Sequence, residues 1–112
     1  MEQELRQLLR TPDAACFLAG DVGFAQCQLR RDYVEGTGST PAGYLEGIYV
    51  AQAHRGQGIA SALLRACENW AAAMGCTEFA SDCGLDNPDS QKFHEMQGFT
   101  EANRIVCYVK PL

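Results

Sequence analysis

Between Leu45 and Trp70 the chain runs LEGIYVAQAHRGQGIASALLRACENW, passing from a strand-like segment through a short polar loop into an amphipathic helix. The helix is read from Ile59, Leu63, Cys67, Trp70 and Met74, which recur at steps of three or four and make one apolar face, while Arg65, Glu68 and Asn69 meet water. The strand is Tyr44 to Val50. The start of any helix leaves backbone N–H groups without internal partners and is the positive end of the macrodipole. Gly56 and Gly58 remove side chains that would hold a ligand's oxygens away from those amides, and they allow φ > 0 in the turn. Arg55, Gly56, Gln57, Gly58, Ile59 and Ala60 are therefore a candidate site for a phosphate. It is not a nucleotide-triphosphate loop, because no Lys-Ser/Thr follows the glycines. The third glycine of a dinucleotide fingerprint is also missing.

A chain of 112 residues is read as one domain, 1–112, burying roughly 65% of its unfolded surface. No run approaches the length of a membrane span, and the opening Met1-Glu2-Gln3-Glu4 is acidic rather than signal-like, so the expected compartment is the cytoplasm. The net charge of −5 disfavours nucleic acid and anionic membranes as partners and suits a cationic substrate. None of the six cysteines forms a C-x-x-C pair, and most fall inside apolar patterns; free, mostly buried thiols and no metal are expected.

Taken in order, Glu2 to Arg10 places Leu5, Leu8 and Leu9 on one side of a short helix that ends near Pro12. Ala15–Ala19 and Val22–Tyr33 read as a strand hairpin, with Phe24, Gln26, Gln28 and Arg30 on one face and Ala25, Cys27 and Leu29 on the other. Glu35 to Gly43 is a polar, glycine-rich loop. Gly75 stops the long helix, and a strand from Thr77 to Asp82 completes a βαβ unit whose two strands run parallel. Asn87 is an N-cap and Pro88 a first helical residue, with the helix reaching Gln97 and Gly98 closing it. Phe99–Glu101 and Arg104–Lys110 read as a final strand pair.

Asn87, Ser90 and His94 stand at i, i+3 and i+7, one face of that helix, where they can address the same ligand. Read with the loop, they complete a pattern. Arg55, Gly58 and Ala60 match in register the acyl-CoA motif Gln/Arg-x-x-Gly-x-Gly/Ala, so the chain resembles the GNAT N-acetyltransferase superfamily. The resemblance implies an α/β (α+β) fold, a mixed and mostly antiparallel sheet flanked by helices, here lacking the usual first strand and helix. It implies that the loop amides hold the CoA pyrophosphate and that the backbone of Ile48, Tyr49 and Val50 pairs with the pantetheine arm and acetyl carbonyl. It also implies that an Asn near the start of the last helix, here Asn87 with Ser90 beside it, binds the same arm. The family's usual tyrosine four residues before a final Gly-Phe is His94 here. An imidazolium can protonate a departing thiolate, whose thiol has a pKa of about 8.5.

More specifically, the segments Tyr44–Val50, His54–Ala60, Cys76–Asp82 and Glu101–Val106 are similar to those of aminoglycoside 6′-N-acetyltransferases, over about Leu5 to the end. That likeness implies acetyl-CoA as co-substrate, Asp82 beside the amine to be acetylated, and antibiotic resistance as the outcome. Asp32, Glu35 and Glu46, on or near the preceding hairpin, are then candidates for holding a polycationic sugar. Attack requires a neutral amine, yet alkyl amines have pKa values of roughly 9–10, so about 1% or less is ready at neutral pH. An ordinary carboxylate is a poor base for such an ammonium. Asp82 is then a base only in an unusual environment, a link in a water relay, or an orienting group with water-assisted proton loss, which is the expectation. A backbone N–H of the Ile48–Val50 strand would meet the oxyanion. The family's usual first elements have little room here, and the sheet edge they leave open favours a homodimer. Acetylation of another small amine or polyamine, and acyl-CoA binding without turnover, are the alternatives.

Overall fold

Strict alternation of small apolar and polar residues in GFAQCQLR builds the middle of a sheet: Gly23, Ala25, Cys27 and Leu29 are buried, whereas Phe24 and Gln26 face outward. The computed structural model describes residues 5–112, in two units that divide between Asp82 and Cys83. The first unit holds strands β1 (Leu5–Arg10), β2 (Ala14–Ala19), β3 (Gly23–Arg30) and β4 (Ala42–Val50), helix α1 (Ile59–Ala73) and the two-residue strand β5 (Phe79–Ala80). The sheet order is β1-β2-β3-β4-β5, with each successive pair antiparallel until β5, which runs parallel to β4 after the α1 crossover. The second unit contains α2 (Pro88–Met96).

Helix α1 packs on β2, β3 and β4. Its buried residues are Ile59, Leu63, Leu64, Cys67 and Ala71, so the apolar face is turned from the one read off the sequence: Trp70 is half-buried and Met74 is exposed. Small residues Ala15, Ala19 and Ala25 in the sheet let the helix lie close, and full burial of Leu63 and Leu64 contributes about 1.5–3 kcal/mol each. Closest approach falls at Gly43. A Cβ there would lie 2.5 Å from Phe79 Cδ1 and 2.7 Å from the Ala71 methyl, so β4, β5 and α1 meet only because that side chain is absent. At its far end α1 stops as expected, with Gly75 at φ 96°.

Several expectations require correction. Residues Leu5–Arg10 form a strand, not a helix; Glu2 to Glu4 lie outside the described residues. The β1–β2 register shifts between Gln7 and Leu9, a bulge in the strand, and leucines at positions 5, 8 and 9 have a sequence spacing that also suits one face of a helix. The strand expected over Val22–Tyr33 ends at Arg30, and the one over Thr77–Asp82 is only Phe79–Ala80. Phe99–Glu101 and Arg104–Lys110 are not strands: no regular secondary structure is assigned from residue 99 to 112. Their composition records β propensity, which becomes a strand only where a ladder partner is present. All six cysteines are free, but only Cys16, Cys27 and Cys67 are buried; Cys83 and Cys107 are exposed. The Cys67 thiol is pushed upward by its hydrogen bond with Cys27 and then by burial, which keeps it protonated and unreactive.

Candidate active site

Strand β4 leads straight into the glycine turn. Ala51 N–H donates to the Val22 carbonyl at 2.7 Å, a short 3-10 turn covers Gln52–His54, and Gly56 and Gly58 then take φ of 77° and 82°. These left-handed conformations are strained for any residue with a side chain. Nothing lies within 4 Å of where a Cβ would project at either glycine, so the strain is not a matter of crowding by the protein, and the space above the turn is open. Gly58 is the N-cap of α1 and offers no capping side chain, and the first turn of α1 carries no acidic residue. The helix therefore starts with its positive end unneutralised by its own sequence. Ile59 is 5% exposed and anchors this start in the core, which leaves its main chain for the turn. Arg55 Nε donates to the Val50 carbonyl at 2.8 Å and its guanidinium carbon lies 5.7 Å from the Tyr49 ring centroid. Arg55 thus ties the turn back onto β4.

The same strand has a second irregularity. Gln26 faces Gly47 and Cys27 faces Leu45, so Glu46 is an extra residue in a bulge. Pairing with β5 covers only Gly43 and Tyr44. Between Leu45 and Val50, where Ile48, Tyr49 and Val50 lie, β4 has no ladder partner on the β5 side among the described residues. Backbone groups on that edge can accept an extended chain.

Of the acidic candidates, the structure ties Glu46 and Asp82 into one network. Arg30 forks onto Glu46, with Nε at 3.1 Å and Nη2 at 2.9 Å from Oε2, and its guanidinium carbon sits 3.6 Å from the centroid of the Tyr44 ring. The Tyr44 hydroxyl donates to Asp82 Oδ2. Asp82 and Ala80 are two residues apart, and Ala80 is the register partner of Tyr44, which explains why the hydroxyl reaches this carboxylate. Burial, and then the carboxylate beside it, push the Tyr44 phenol up to about 12. Asp32 and Glu35 are exposed in the loop after β3, with Tyr33 donating to Glu35 at 3.1 Å.

In the second unit, Asn87 caps α2 as the sequence predicts: its Oδ1 accepts from Ser90 N–H at 3.1 Å. His94 Nδ1 lies 2.7 Å from the Ser90 carbonyl and 3.5 Å from the Ser90 hydroxyl, so the three residues do share one face. A carbonyl only accepts, so Nδ1 carries the proton in that bond. Donation from Nε2 therefore requires the imidazolium. Phe99 packs on the imidazole with ring centroids 5.1 Å apart.

Sequence reasoning missed Tyr44, Arg30 and Glu78. Glu78 accepts from Gly38 N–H at 2.8 Å and from the Ser39 hydroxyl, which pins the glycine-rich loop to the segment leading into β5 and holds the carboxyl below its ordinary value. For Tyr44 the available signal was its place between Ala42 and Glu46 at strand period, which sets a phenol on the face that carries the acid.

Comparison with known proteins gives concordant results. The model of the acetyltransferase (GNAT) family matches residues 2–99. An aminoglycoside N(6′)-acetyltransferase type 1 of Serratia marcescens is 43% identical over 97% of this chain and 78% of its own. The protein of the same name from Stenotrophomonas maltophilia is 43% identical over 98% of this chain and 75% of its own. Among solved structures, AAC(6′)-Iy in complex with the bisubstrate analog CoA-S-monomethyl-acetylneamine superposes with a TM-score of 0.93 at 31% identity, covering 100% of both chains. An aminoglycoside 6′-N-acetyltransferase of Acinetobacter haemolyticus gives a TM-score of 0.82 at 42% identity, over 89% of this chain and 72% of its own. An uncapped helix start behind two left-handed glycines, a half-open strand beside it and these matches lead to one conclusion: the chain belongs to the acetyltransferase (GNAT) family.

Proposed function

We propose that this chain is an acetyl-CoA-dependent N-acetyltransferase that acetylates the 6′-amine of an aminoglycoside antibiotic and so confers resistance. The observation that carries the reading is the open turn of Gly56 and Gly58 at the uncapped start of α1, immediately after β4, in a chain 43% identical to enzymes of that name. Arg55 to Ala60 hold the diphosphate of acetyl-CoA through main-chain N–H groups. The backbone of Ile48, Tyr49 and Val50 receives the pantetheine arm and supplies an N–H to the developing oxyanion. Acetyl-CoA brings the acetyl group as a thioester. Asp82 orients the amine, which loses its proton to water as its nitrogen bonds to the carbonyl carbon and the C–S bond breaks. His94, as the imidazolium, returns a proton to the thiolate, with Asn87 and Ser90 beside it on α2 to hold the arm. Asp32, Glu35 and Glu46 supply negative charge for a polycation.

The family match runs through both units, which supports residues 1–112 acting as one domain. The reading includes a cytoplasmic homodimer. Support for self-association comes from Ile105, Val106, Tyr108 and Val109, all at least 64% exposed, an apolar run that a second copy can cover. No helix among the described residues is long and apolar enough to cross a membrane. A coupled thiol-release assay with acetyl-CoA, run across kanamycin-type sugars and polyamines, tests the proposal. Release that depends on a 6′-amino sugar is expected. Release with polyamines alone would reassign the acceptor, and calorimetric acetyl-CoA binding without release would make this a binding domain.

A further inference from the structure

Tyr44 is 8% exposed and packs with Val34, Ala42 and Ala80, yet its hydroxyl leaves that apolar cluster to donate to Asp82. Its ring is held from the other side. Arg30 lies 3.6 Å over the ring centroid, and Arg30 is itself fixed by a forked ion pair with Glu46 on the β4 bulge. Register supports the same alignment, because Arg30 and Gln28 on β3 face Ala42 and Tyr44 on β4, and Tyr44 faces Ala80 on β5.

We propose that Tyr44 is a positioning residue for the acetyl transfer: it holds Asp82 by Oδ2, presents Oδ1 to the substrate amine, and is itself braced by Arg30 and Glu46. This rests on the acetyltransferase reading above. Three consequences follow from the chemistry. A carboxylate tethered at one oxygen has a fixed plane, so the direction in which it accepts an amine N–H is fixed as well. A carboxylate that already accepts from a phenol at one oxygen has the other oxygen left for the amine, which suits Asp82 to orienting it. And Glu46, engaged by Arg30, meets a polycationic substrate as half of an ion pair rather than as a free charge, so its first role is to hold Arg30 on the ring.

Tyr44→Phe removes the hydroxyl but keeps the ring, its burial and its stacking under Arg30, which separates positioning from packing. With wild type active in the thiol-release assay, Tyr44→Phe should lower kcat about tenfold. The KM for acetyl-CoA should not change. In an Asp82→Ala background the same substitution should cost nothing further, since the group it positions is gone. Equal kcat in wild type and Tyr44→Phe, or an undiminished loss in the Asp82→Ala background, would overturn the proposal while leaving the acetyltransferase reading intact. A wild type silent with every amine would instead remove that reading. The contact itself has a readout without turnover: of the four tyrosines, the last to ionise at 295 nm should do so near pH 12, and Asp82→Ala should bring it lower. No change on that substitution shows that the bond is absent and sinks the proposal by a second route.

Discussion

The turn from Arg55 to Ala60 and the network of Arg30, Tyr44, Glu46 and Asp82 are built from opposite materials. The turn works through main chain: two glycines at positive φ, a helix start without a capping side chain, and one arginine folded back onto the strand. The network works through side chains from three strands and their flanks, contacting pairs 14 to 38 positions apart in sequence, each fixed by the next. A main-chain site is specified locally and reads any ligand with the right charge, whereas a side-chain network is specified by tertiary register and can select among acceptors.

Several changes would break or sharpen the contrast. The largest expected effect is at the acid: Asp82→Asn should lower kcat about 100-fold or more, with acetyl-CoA affinity retained, because the orienting group is lost while the turn is untouched. Unchanged turnover would take Asp82 out of the mechanism. Gly58→Val should have the converse signature. A β-branched residue at φ 82° must shift the turn, and the loss of even one charge-assisted hydrogen bond, about 1.5–3 kcal/mol, weakens acetyl-CoA roughly 10- to 150-fold by calorimetry. Retained affinity would show that the turn's conformation is not what binds.

Gly43→Ala tests the joint between the two regions. Its methyl would meet Phe79 and Ala71, so a loss of about 1–3 kcal/mol in denaturant unfolding is expected, and an unshifted midpoint would contradict the close packing. Smaller still is the effect of acid on the loop near Gly38. Because hydrogen bonds from Ser39 and Gly38 depress Glu78, its contribution is present above the ordinary value of 4.5 and is lost as pH falls through the depressed one. Amide exchange at Gly38 should quicken below about pH 4.5 in wild type but not in Glu78→Gln, whose exchange should be pH-flat after correction for intrinsic rates.

What could be read from the sequence follows the same division. The βαβ unit, the stop at Gly75, the cap at Asn87 and the glycine turn were legible, because each depends on residues close together in the chain. Leu5–Arg10 was misread because leucines at 5, 8 and 9 have a spacing that suits a helix face, while the strand pairing with β2 is set by residues distant in sequence. Residues 104–110 were misread because composition states a preference for strand without naming a partner. Tyr44 was read only as the start of a strand; it is buried, and register with Ala80 is what reveals that its hydroxyl reaches Asp82. Glu46 was singled out as an acid for a cationic acceptor, whereas its partner Arg30 lies a hairpin away and was assigned only to a face.

The central claim is that main-chain amides from Arg55 to Ala60 cradle a diphosphate. Backbone amide chemical shifts measured during titration with CoA, and separately with pantetheine, which lacks that group, address it directly. The account predicts large shifts at Gly56, Gly58, Ile59 and Ala60 with CoA and little change there with pantetheine. Equal responses to both, or CoA binding that leaves these four amides unmoved, would contradict it.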